Sequence, residues 1–144
     1  MKVNGASKAG GIFKLGKASS SDSFGGTYTF AGSHTLRFVN PTANYSEAIG
    51  SSSSLSGSIT INGSAVTGSI LEQNSNGSDT LQGELTGPRV TAKILTQEST
   101  IFIVFLVNES DVTGLYMEFN GQLDEPARDP LAAGTFSFTS MTKN

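Results

Sequence analysis

The chain has 144 residues, of which 15% are charged, with 17 glycines, no cysteine and no tryptophan. A single domain of this length buries roughly 68–70% of the surface its unfolded chain exposes, so a real core is available. The net charge of −3 argues against a phosphate-binding field, and the missing cysteine excludes disulfides, thiolate metal sites and thiol nucleophiles.

No apolar run approaches the roughly 18–20 residues that a membrane-spanning helix needs, so we expect neither a nucleic-acid partner nor a membrane span. N-x-[ST] sequons begin at Asn44, Asn62, Asn76 and Asn108. They tilt the expectation towards a secreted or cell-surface protein whose signal peptide is absent from this chain.

Residues 1–25 are rich in Gly, Ser and Lys, and read as a flexible lead-in to one domain over 26–144. Lys2, Lys8, Lys14 and Lys17 precede the first acid, Asp22, and the short segment "GIFKLG" is the one apolar stretch of the lead-in. From Gly26 onward, short alternating segments recur between turn signals: "GTYTF", "HTLRFV", "LSGSITI", "AVTGSIL", "TLQGELT", "RVTAKIL", "TIFIVFLV", "VTGLYMEFN" and "GTFSFTSM". This spacing predicts an all-β antiparallel meander of roughly eight strands closed into a barrel, with a β-sandwich as the alternative.

Turn chemistry allows a register to be written down. An Asn62-Gly63 loop would set Gly57 opposite Gly68 and Leu55 opposite Ile70. A turn at Gly87-Pro88 sets Gly83 opposite Ala92, and a turn over "NESD" sets Phe105 opposite Gly114 and Ile103 opposite Tyr116. An apolar-x-Gly-x-apolar pattern thus recurs on the core face. Glycine inside a strand costs about 0.5–1 kcal/mol relative to Ala, and the repeated placement suggests a need for sharp coiling of the kind that closes a barrel.

The glycine-punctuated meander, with "GTYTF" at its start and "GTFSF" at Gly134–Phe138, resembles the calycin-like barrels, avidin-like and lipocalin-like domains among them. The resemblance implies a small closed barrel able to hold a ligand. Biotin is not implied, because the tryptophans that line avidin sites have no counterpart here.

By parity the barrel interior collects Tyr28, Phe30, Leu36, Phe38, Ile59, Val66, Leu81, Ile94, Phe105, Phe136 and Phe138 among others, with His34, Tyr116 and Glu118 as its polar members. So apolar an interior suits a small apolar ligand better than acid–base chemistry, and Tyr28, Phe38, Phe105, Tyr116 and Glu118 are the expected ligand contacts. We expect a non-enzymatic binding module for a small apolar ligand or a protein partner, with neither metal nor cofactor. A barrel isomerase or cyclase using Glu118, Tyr116 and His34 is the enzymatic alternative, and a solid structural barrel is the third.

In "TIFIVFLV" both parities are apolar, so Phe102, Val104 and Leu106 point outward, joined across the hairpin by Leu115, Met117 and Phe119. That patch exceeds what a monomer usually exposes. An identical subunit is the expected cover, with "GIFKLG" as the alternative. Two polar loops, 40–54 with Tyr45 and 123–134 with two prolines, complete the chain.

Overall fold

Among the described residues, the alternating segments build eight antiparallel strands, and the first pairs with the last. The structure, a computed structural model, describes residues 24–73, 75–107 and 111–144. The strands are β1 (Gly26–Val39), β2 (Ser52–Asn62), β3 (Ala65–Glu72), β4 (Asp79–Thr86), β5 (Arg89–Leu95), β6 (Ser99–Leu106), β7 (Val112–Asn120) and β8 (Ala132–Lys143). Each strand pairs with the next, and β1 pairs with β8, so the meander closes into a barrel without a free edge. Residues 1–23 of the lead-in, including "GIFKLG", and most of the "NESD" turn lie outside the described residues.

Two of the nine expected segments prove to be one. "GTYTF" and "HTLRFV" form the continuous β1, and Gly32, between them, sits in the ladder opposite Phe138. No turn is needed there because register shifts between Ala31 and Gly32 and between Leu36 and Phe38 bend the strand around the barrel. The second irregularity corrects the sequence reading of Phe38. Beyond Leu36, which is 1% exposed, the parity slips, and Phe38 pairs with Ala133 on the outer surface at 42% exposure.

The β4–β5 and β6–β7 registers match the expectation: Gly83 faces Ala92, Phe105 faces Gly114 and Ile103 faces Tyr116. Gly87 has a φ of +58° and precedes Pro88, whose ring holds φ negative, so the loop fits type II′ and excludes type I′. The β2–β3 register is two residues away from the expected one. Gly63, at φ +64°, takes the first turn position, and Asn62 remains in the ladder opposite Ala65. Inward and outward faces are unchanged by a shift of two, but Gly57 now faces Ile70 and Gly68 faces Ile59.

Gly57 and Gly68 therefore oppose bulk rather than each other. A Cβ on Gly57 would stand 2.9 Å from the Phe30 ring, and one on Gly134 would stand 2.7 Å from the Tyr116 hydroxyl. Large aromatic side chains lie across the interior on the space these glycines leave. Phe30, Phe105, Phe136 and Phe138 stack with centroid separations from 4.2 to 5.9 Å and fill the middle of the barrel.

Outside, the predicted apolar surface on β6 and β7 exists in part. Leu106, Leu115 and Met117 are exposed, and Phe102 and Val104 are half-buried. Phe119 is the exception: it is 2% exposed and packs edge-on against Phe102. The chain itself covers this end, because the 121–131 loop folds back along β6. Thr100 Oγ1 donates to the Gly121 carbonyl and accepts from the Leu123 amide, and Lys93 Nζ reaches Asp124 at 3.3 Å.

Candidate ligand pocket at the barrel mouth

One barrel end gathers the end of β1, the start of β2, the end of β3, the start of β4 and the matching ends of β5 to β8. Odd–even alternation carries inward parity to these termini. Glu72 shares a face with Val66 and Ile70 on β3, and Asp79 shares one with Leu81 and Leu85 on β4. Polar residues are affordable there because solvent is close, whereas two residues deeper the same faces are apolar.

Between this polar rim and the aromatic middle lies a cavity of about 80 Å³. Its walls are Leu55, Ile70, Ile94, Ile101 and Ile103, its floor is Phe136 and Phe138, and its polar members are His34, Glu72, Asp79 and Tyr116. The barrel is thus filled in its middle and hollow at one mouth. Pockets for drug-sized ligands occupy roughly 300–1,000 Å³. At 80 Å³ this one takes a compact molecule, or one end group of a longer one.

The polar groups are organised. His34 Nε2 is hydrogen-bonded to Glu72 Oε2, and an ionised carboxylate only accepts, so Nε2 carries the proton. His34 Nδ1 is buried without a partner among the described residues. The His34 ring meets Tyr116 edge-on at 5.5 Å between centroids. Tyr116 is 9% exposed, and its hydroxyl lies over Gly134. Burial first, then the charges of Glu47, Glu118 and Glu72, pushes its pKa up to about 12, so it stays a neutral hydroxyl. Burial first, and then Glu72, also raises the Asp79 carboxyl above its ordinary value.

Glu118 faces inward from β7 just above this cavity. It accepts from the Tyr45 hydroxyl at 2.7 Å and from the Ser99 hydroxyl at 2.8 Å. Tyr45 belongs to the loop between β1 and β2, so to reach β7 that loop must cross the barrel end. It is anchored there by Gly50 N to Leu36 O at 2.7 Å and by Asn40 N to Leu131 O at 2.9 Å.

Of the ligand contacts expected from sequence, Tyr116 lines the cavity and Glu118 stands at its rim. Tyr28 lies towards the opposite end, where its hydroxyl donates to the Phe24 carbonyl, and Phe105 belongs to the filled middle. Phe38 is outside. His34 lines the cavity. Glu72, Asp79 and the Tyr45–Glu118 contact were not anticipated. The parity of β3 and β4 could have placed the two acids, but nothing local could have paired Tyr45 with a residue 73 positions away.

Among the described residues, no group of three His, Asp or Glu side chains converges as a metal site. No family profile matches this chain, and no curated protein matches it either. The fold and the cavity place it by architecture alone, as a closed eight-stranded up-and-down barrel with a hollow at one mouth.

Proposed function

We propose that this protein is a non-enzymatic binding module that receives a small, largely apolar ligand in the mouth cavity and works as a homo-oligomer. The observation that carries the reading is the apolar hollow of 80 Å³ with His34 and Tyr116 in its wall, beneath a loop tied across the mouth by Tyr45. The aliphatic walls supply the hydrophobic gain, roughly 25 cal/mol per Å² of apolar surface removed from water, and the polar members orient the ligand. The calycin-like style of the meander accords with this use.

The outer surface supports the oligomer. The β1 irregularity that turns Phe38 outward sets it opposite Ala133, which pairs with Met117, which pairs with Phe102. One cross-strand row thus runs over β1, β8, β7 and β6, with Leu115 and Val104 in the next row. An identical subunit offering the same row would bury both.

Native mass spectrometry of the purified chain reads subunit number and retained small molecules together. Ile70→Trp should fill the hollow from its wall, leaving the thermal transition near its wild-type position while abolishing retained mass and the binding of added short alkanols. Unchanged alkanol binding in a folded Ile70→Trp variant would place the site elsewhere.

A second reading, the isomerase or cyclase, draws on the His34–Glu72 pair beside the Tyr116 ring, an arrangement able to move a proton on an apolar substrate. Of the three polar groups expected for that alternative, Glu118 is already held by Tyr45 and Ser99, so His34 would serve as the base. His34→Gln would then abolish turnover while leaving substrate affinity nearly unchanged.

A further inference from the structure

Resting on the mouth cavity as the binding site, we infer that its ligand is a compact amine, an apolar body carrying one ammonium group.

The charges around the cavity have one sign. Glu72 and Asp79 line it, and Glu47 and Glu118 are close enough to act on the Tyr116 hydroxyl. No Lys or Arg lines it among the described residues, and the one histidine is engaged by Glu72. An anionic ligand, such as a fatty acid, would bring a carboxylate against this field without a cation to receive it. A neutral hydrocarbon would fill the walls but leave the polar members without partners.

Two groups in the wall have unfilled hydrogen-bonding capacity. Tyr116, nine-tenths buried, makes no hydrogen bond among the described residues, and His34 Nδ1 is buried and unpartnered. In the neutral ring, with Nε2 holding the proton towards Glu72, Nδ1 is an acceptor, and a neutral tyrosine oxygen also accepts. Acceptors in the wall and carboxylates at the rim together ask for a ligand that donates and is positively charged. A metal cation fits less well: the hollow is mostly aliphatic and aromatic, and the acids do not converge on one point. Apolar walls and floor with acceptors above them match an alkyl or small aromatic body with a terminal ammonium group.

The test is a set of ligands sharing one carbon skeleton: isobutylamine, isobutanol and isobutyrate. Each is titrated into the ¹⁵N-labelled full-length chain, with amide shifts followed at Ile94, Ile103 and Phe136. The amine should bind about tenfold more tightly than the alcohol, the scale of one charge-assisted hydrogen bond, and isobutyrate should not bind at the mouth. Asp79→Asn should reduce the preference for amine over alcohol, and adding Glu72→Gln should reduce it further. The Asp79 side chain has no hydrogen bond or ion pair among the described residues, so Asp79→Asn tests charge without breaking a contact.

Equal binding of amine and alcohol at these amides would overturn the amine and leave the cavity standing. Shifts confined to the outer surface, or none with any of the three ligands, would remove the cavity as a ligand site and the amine with it.

Discussion

The Tyr45 hydroxyl donates to Glu118 Oε1 at 2.7 Å, joining the β1–β2 loop to the inner face of β7 across the barrel mouth. Burial first, and then Glu118 as hydrogen-bond acceptor and as charge, raises the Tyr45 pKa, so the donor stays protonated. Tyr45→Phe removes the tie but keeps the ring. We expect a loss of about 1 kcal/mol, the usual net worth of such a bond, because Ser99 still serves the Glu118 carboxylate. Hydrogen exchange should accelerate over residues 40–51 and stay unchanged over β4 and β5. Uniform acceleration would mean that the loop is no separate unit.

Gly134 makes room for Tyr116. A Cβ there would meet the Thr35 carbonyl oxygen and stand 2.7 Å from the Tyr116 hydroxyl. Gly134→Ala should therefore displace the Tyr116 ring and destabilise the barrel by about 1–3 kcal/mol, the range for overpacking. Chemical denaturation measures the loss. Tyr116→Phe in the same background should recover part of it, since the hydroxyl is one of the atoms in the way.

All three tyrosines titrate late. Burial raises Tyr28, burial and Glu118 raise Tyr45, and Tyr116 is pushed up to about 12. At about pH 10.5 the folded protein should show little tyrosinate absorbance, while the chain in denaturant titrates near pH 10. Between those values the native state holds more protons than the unfolded one, so stability falls as pH rises from about 10 towards 12. Free tyrosinate formation in the folded protein at pH 10.5 would mean that Tyr45 and Tyr116 are open to solvent.

Asp79 works in the same sense at the acid end. Its folded pKa lies above the ordinary 3.8, raised by burial and by Glu72, so the native state binds the proton more readily. Its ionised form therefore disfavours folding, fully so above the folded pKa, and that cost disappears as pH falls through the folded value towards 3.8. Asp79→Asn should stabilise the protein at pH 7 and lose this advantage below pH 4, as read from thermal transitions at both pH values. An advantage that persists at low pH would assign the gain to packing.

The row Phe38–Ala133–Met117–Phe102 predicts a change of assembly. Met117→Lys should convert a wild-type oligomer into a folded monomer, followed by sedimentation velocity. A wild-type monomer, or a mutant that keeps the assembly, would leave the row as mere exposed surface.

Much of this was legible in the chain. Alternation between turn signals specified the strands and their inner faces, because the side-chain period of a strand is two and only one face of most of these strands can be apolar beside water. Gly87-Pro88 fixed one register, since only a type II′ turn accepts that pair at φ +58°. The exposed Leu106 and the half-buried Phe102 and Val104 were readable from the double apolar parity of β6, and the exposed Leu115 and Met117 from their place across the hairpin.

Other features depend on three dimensions. The outward turn of Phe38 follows from a register slip between β1 and β8, whose paired residues stand 95 positions apart, from Phe38 to Ala133. The burial of Phe119 is decided by the returning 121–131 loop, and the pairing of His34 with Glu72 by closure of the barrel end. Local sequence determines which way a side chain faces on its own strand. What it meets there is decided by the closed sheet, because closure brings together residues that no short-range preference connects.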